Sequence, residues 1–120
     1  MIRKPSEQKT INRAPGVDIQ VLVEPHEMYD AGRLYARITI APGASLAYHR
    51  HESEMESFYV LKGTCRVDDN EESAILSVGD VMVTPAGQCH AIYNDSSEPV
   101  ELMALIISCK QGVAGKSVTI

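Results

Sequence analysis

The residues of this chain best suited to chemistry are its histidines. His49 and His51 are separated by one residue in a segment that reads as a strand, so both project from one face. Glu56 stands five residues further on, where the next strand begins, and His90 follows the turn Pro85-Ala86-Gly87 and opens another. Three imidazoles and one carboxylate brought together form a mixed nitrogen and oxygen site suited to a divalent first-row transition metal. A single histidine on a strand is more often surface or satisfied core than ligand. The His-x-His pair shifts that balance, because two imidazoles buried on one face without a shared partner are unfavourable. Spacing alone leaves both readings open.

The elements that must position these groups are short. Turn signals recur at Pro15-Gly16, Pro25, Pro42-Gly43, Gly63, Asp68-Asp69-Asn70, Gly79-Asp80, Pro85-Ala86-Gly87 and from Asn94 to Pro99. Between them lie segments rich in Val, Ile, Tyr, Thr and Leu, which read as strands over 17–23, 33–41, 45–51, 56–62, 64–68, 74–77, 81–84, 89–95 and 100–108. No stretch keeps the helical spacing for three turns, and the one helical possibility is a turn over 24–29. The pattern predicts an all-β sandwich or barrel. Gly115-Lys116-Ser117 ends like a phosphate loop, but Lys110 occupies the position of its first glycine, and 110–120 reads as tail.

Composition sets the class. At 120 residues a single domain is expected, and 44% apolar with 22% charged residues is ordinary for a globular chain. Eleven basic against sixteen acidic side chains give a net charge of −5, with no basic cluster, which speaks against nucleic acid or an anionic membrane as partner. The longest apolar run, Leu102 to Ile107, is six residues, far short of a membrane span. No secretory signal is visible at Met1-Ile2-Arg3-Lys4-Pro5, so the cytoplasm is the expected location. Cys65, Cys89 and Cys109 form no Cys-x-x-Cys pair and read as free thiols of a reducing compartment.

Two motifs carry a resemblance. The first runs Gly43, five residues, His49-Arg50-His51, four residues, Glu56, six residues, Gly63. The second runs Gly79, five residues, Pro85-Ala86-Gly87, two residues, His90, three residues, Asn94, and 15 residues separate the two. In both, the chain resembles the small single-domain cupins. The resemblance implies an all-β cupin barrel (a double-stranded β-helix, or jelly roll) spanning 1–120, with motif one over 43–63, motif two over 79–94 and an N-terminal arm over 1–16. It implies His49, His51, Glu56 and His90 as ligands of one divalent metal per chain, drawn from Mn, Fe, Co, Ni, Cu and Zn. It says little about the reaction, since cupins span oxygenases, isomerases, decarboxylases and non-enzymatic binders.

Strand parity extends the reading to a pocket. With the ligands inward, Ala47, Phe58 and Ile92 follow them, and Ala36, Ile38, Leu102, Ala104 and Ile106 have the inward parity of their strands. The expected pocket is apolar, with no Arg or Lys inside it, and Glu56 is its default general base. That favours a metal-dependent, oxygenase-like enzyme acting on a small organic molecule. A sugar or sugar-phosphate isomerase and a non-catalytic ligand-binding module are the alternatives. His26, in the loop Pro25-His26-Glu27, reads as surface. Apolar residues on both parities of 100–108, with Tyr59 and Leu61 facing outward, predict a homodimer helped by the segment 2–23.

Overall fold

The computed structural model describes residues 1–109, without the side chains of Tyr48 and His49; the tail expected over 110–120 lies outside them. Ten strands follow one another: β1 (Thr10–Ala14), β2 (Val17–Val23), β3 (Gly32–Ile40), β4 (Ser45–Arg50), β5 (Glu54–Lys62), β6 (Cys65–Asp69), β7 (Glu72–Leu76), β8 (Val81–Thr84), β9 (Cys89–Tyr93) and β10 (Val100–Ser108). Short 3-10 turns stand at Pro5–Glu7 and Pro25–Met28, the second where the sequence allowed one. The strands form a six-stranded sheet, β1-β2-β3-β10-β5-β8, facing a four-stranded sheet, β4-β9-β6-β7, with every pairing antiparallel. This is a jelly-roll sandwich. No helix among the described residues is long and apolar enough to cross a membrane.

Alternation explains the layering. Along β10, Val100, Leu102, Ala104 and Ile106 are buried, whereas Glu101, Met103 and Leu105 between them are half-buried. Cross-strand partners continue the inner rows: Phe58 opposite Ala104 opposite Ala36 opposite Val21, and Val60 opposite Leu102 opposite Ile38 opposite Ile19. These rows pack against Val67 and Ile92 of the smaller sheet. The apolar area they remove from water is the main term favouring the fold.

One strand was not expected. Thr10-Ile11-Asn12-Arg13-Ala14 carries a single large apolar residue and lies exposed at the edge of the larger sheet, so it has no buried face to produce a period-two pattern. The segment 1–16 is therefore not only an arm. Arg3 ties its start to the body, donating to the Leu22 carbonyl at 2.8 Å and pairing with Glu27 at 2.9 Å. That hydrogen bond holds the Glu27 carboxyl below its ordinary range.

The two motifs are stapled to each other by backbone. The Gly43 N–H donates to the Asn94 carbonyl at 2.8 Å, and the Asn94 N–H to the Ala44 carbonyl at 3.0 Å. The Asn94 side chain, 1% exposed, donates to the carbonyls of Ile40 and Glu98 and accepts from the Ser96 N–H and hydroxyl. Asn94→Ala leaves the buried Ile40 carbonyl without its side-chain donor and should lower the unfolding free energy by about 1–3 kcal/mol, read from the urea midpoint. An unchanged midpoint would show that the Asn94 side chain adds nothing to the backbone staple.

Candidate metal centre and cavity

Three strands deliver the histidine and carboxylate groups. On β5, Glu56 points inward with the same parity as Phe58 and Val60 and is 3% exposed. His90, on β9, is 1% exposed. His51 follows the last residue of β4, and its carbonyl accepts the Gly87 N–H at 2.8 Å. Gly87 adopts φ +84°, a conformation open to glycine at little cost, so the Pro85-Ala86-Gly87 turn both launches β9 and pins the end of β4.

The result is a compact cluster. One Glu56 oxygen, Oε1, lies 3.1 Å from His51 Nε2 and 2.9 Å from His90 Nε2. Donor atoms of His51, Glu56 and His90 all fall within 4.8 Å of one another. The side chain of His49, the fourth expected ligand, lies outside the described part of the structure; its backbone pairs in register with His90.

The second ring nitrogens are also held. His90 Nδ1 is 2.8 Å from the buried Thr84 hydroxyl, which fixes the ring and leaves Nε2 facing Glu56, while Phe58 packs edge-on at 5.2 Å. His51 Nδ1 lies 3.4 Å from both a Glu54 oxygen and Arg33 Nη2, and Arg33 Nε donates to Glu54 at 2.7 Å. An acceptor and a donor beside Nδ1 accommodate either tautomer. The one that frees the Nε2 lone pair for a metal places the proton on Nδ1, toward Glu54. Borderline nitrogens with one hard oxygen, each ring braced from behind, form a donor set that fits a divalent transition ion.

A cavity of about 680 Å³ opens above the cluster. Of the expected lining residues, Ile38, Ala47, Phe58 and Ile106 reach it, with His51 and Glu56 at its floor. Ala36, Ile92, Leu102 and Ala104 do not. The methyls of Ala36 and Ala104 face inward but are too short to surface beside larger neighbours in their row, and Ile92 and Leu102 are packed between the sheets. Leu46 lines the cavity as well as Ala47, although consecutive strand residues should face opposite ways. The β4–β9 register explains this: Leu46 pairs with Ile92 and His49 with His90, so β4 carries one extra residue, a bulge that turns its parity.

The expectation of a cavity without cations also changes. Lys9, Arg13 and Arg33 line it, together with the Glu24 carboxylate. Two of these cations come with β1, the strand that the pattern did not reveal. Arg33 was assigned to a strand end, which proves to be the cavity rim. His26 is exposed and does not line the cavity, although Glu24 and Pro25 beside it do. All three cysteines are free; Cys65 is buried, and burial pushes its thiol up to about 11, so it stays protonated at neutral pH.

A jelly roll with a His-Glu-His cluster under an open cavity defines a small barrel protein with a candidate metal centre. The model of the cupin domain matches residues 36–107, and the chain belongs to the cupin family. It is 35% identical over 91 residues to the oxalate-binding protein of Thermotoga maritima, covering 76% of this chain and 75% of that protein. It is 32% identical over 80 residues to the mannose-1-phosphate guanylyltransferase ManC of Salmonella typhimurium, spanning 65% of this chain but only 17% of the enzyme. Among solved structures, a predicted oxalate decarboxylase from Thermotoga maritima superposes with a TM-score of 0.81 at 32% identity, covering 90% of this chain and 99% of that one. KdgF from Halomonas sp. superposes at 0.74 with 21% identity over 93% and 96% of the two chains, a likeness of fold alone.

Thr84→Val keeps the shape of the side chain but removes the hydroxyl behind His90. Divalent-metal affinity should fall by about tenfold or more, measured by competition with a chromogenic chelator. Equal affinity in the variant would mean that the hydroxyl does not orient the ring.

Proposed function

We propose that this cupin is a metal-dependent enzyme that takes a small organic anion, of the carboxylate class, at a divalent ion held by His49, His51, Glu56 and His90. The observation that carries the proposal is the sharing of Glu56 Oε1 between two imidazole Nε2 atoms at 2.9 and 3.1 Å on the floor of an open cavity. Arg33, paired with Glu54 through Nε, keeps its Nη2 beside His51 and offers that side of the cavity an N–H donor to an anionic ligand. The likeness to a protein named for binding oxalate supports the same class. One ion of Mn, Fe, Co, Ni, Cu or Zn per chain suits the donors. When bound, it supplies a Lewis-acid centre, open to oxygen if it is redox-active. Of the four groups that would hold the ion, Glu56 is the one carboxylate, so it would also be the one able to accept a proton from an enol, hydroxyl or water in the cavity. A binding module without turnover is the second reading, favoured by the name of the Thermotoga relative. Free thiols fit a reducing cytoplasm.

The test begins with metal analysis of protein purified without an affinity tag, followed by a screen of small carboxylates, carbonyls and enols with and without oxygen. His51→Ala and His90→Ala should each lose most of the metal. Glu56→Gln should keep a substantial part of it while turnover falls by about 10²-fold or more. Full metal in both alanine variants would refute the site. Unchanged turnover in the glutamine variant would refute the base role, and no turnover under any condition would favour the binding module.

We also propose a two-fold dimer that covers the outer face of the larger sheet. Tyr59 and Leu61 on β5 are 46% and 38% exposed, and Val81 and Val83 on the edge strand β8 are 57% and 51% exposed. Light scattering should give twice the 13.1 kDa chain mass, falling to the single mass in a Val81→Glu, Val83→Glu variant. A mass of one chain for the unaltered protein across the micromolar range would contradict the dimer.

A further inference from the structure

The cavity is much larger than a metal-bound two-carbon acid needs, and its far end has a character of its own. The inner row that starts at Phe58 runs through Ala104, Ala36 and Val21, and the Val21 N–H donates to the Lys9 carbonyl at 2.8 Å. Four strand spacings separate Phe58 from Lys9, about 19 Å along the curved sheet. Lys9, just before β1, and Ile11 and Arg13 within it follow one another at every second position, and all three line the cavity. Between them and the Glu56 floor the wall is apolar, formed by Ile19, Val21, Leu34, Ile38 and Phe58.

Charge sharpens the contrast. The chain carries a net −5, yet outside the floor the cavity has three cations against the single Glu24 carboxylate. Arg33 is paired with Glu54, whereas Lys9 and Arg13 form no ion pair among the described residues. Both also lie outside residues 36–107, the part that matches the cupin domain. They therefore stand on the N-terminal segment that precedes the matched domain, held in place where Arg3 anchors it to Leu22 and Glu27.

We propose that Lys9 and Arg13 form a distal anion subsite, so that the ligand is an elongated organic acid. One end meets the floor, an apolar middle crosses the β2–β3 wall, and a second anionic group reaches the edge strand. The proposal rests on the floor being the site of the reacting end, as argued above. Cations at a partly exposed rim act with modest strength, and their effect fades with added salt.

Sebacate and decanoate are the probes, because they share a chain length and differ in the second carboxylate. Calorimetry on the manganese-loaded full chain compares their affinities in the natural protein, in Lys9→Gln, Arg13→Gln, and in Lys9→Arg, Arg13→Lys, with oxalate as a short control. The preference for sebacate over decanoate should fall by about five- to tenfold in the glutamine variant, while the charge-preserving variant retains it. Oxalate affinity should stay the same throughout. An unchanged preference in the glutamine variant, or a parallel loss of oxalate, would overturn the subsite. Manganese content of the same samples separates the two claims. Failure to hold manganese counts against the metal centre, and the sebacate preference repeated on metal-free protein still reads the edge strand.

Discussion

A carboxyl group that is 3% exposed inside a barrel of Val, Ile and Phe is tolerated only if its oxygens find polar partners where it lies. Desolvation of such a group costs several kcal/mol even after the protein relaxes. Glu56 meets that demand through a single oxygen directed at two imidazole nitrogens from different strands. The requirement reaches outward. His90 must be oriented by Thr84, His51 must be held where the Gly87 N–H reaches its carbonyl, and β5 must present Glu56 and Phe58 on one face. A donor set this tight is poised to exchange its internal hydrogen bonds for a cation, since each atom it turns inward is a lone-pair donor in the right protonation state.

The barrel separates a rigid floor from an adaptable rim. Floor residues come from β4, β5 and β9, braced by the backbone staple between Gly43 and Asn94 and by rows of buried apolar side chains across β3 and β10. The rim comes from the edge strand β1 and from the turn that carries Glu24 and Pro25, which have far less buried area. Functional specificity placed on such peripheral elements can change without disturbing the metal-side geometry. The N-terminal strand that precedes the matched cupin domain fits that division of labour.

Much of the floor was legible in the sequence because its chemistry is tied to spacing. His49-Arg50-His51, Glu56 and His90 lie at motif positions, and the glycines and proline between them mark the turns that bring them together. The strands 17–23, 81–84 and 100–108 were readable to the residue because each is a Val- and Ile-rich or Leu-rich run bounded by turn residues, and the last two alternate cleanly between buried and outer positions. The rim was not. An edge strand with Ile11 as its one large apolar residue leaves no periodic signal, so Lys9 and Arg13 could not be assigned to the cavity. Parity counting also failed across the β4 bulge, where an extra residue lets Leu46 and Ala47 both line the cavity. Parity gives direction but not depth, which is why Ala36 and Ala104 point inward without reaching the surface.

The most direct test of the central claim is an anomalous difference map from crystals grown with manganese, collected on untagged protein. A single strong peak should lie among His51 Nε2, Glu56 Oε1 and His90 Nε2, with the His49 imidazole completing the set. A peak elsewhere, or none, with Glu56 still shared between the two imidazoles, would show that the cluster is a structural charge network rather than a metal centre.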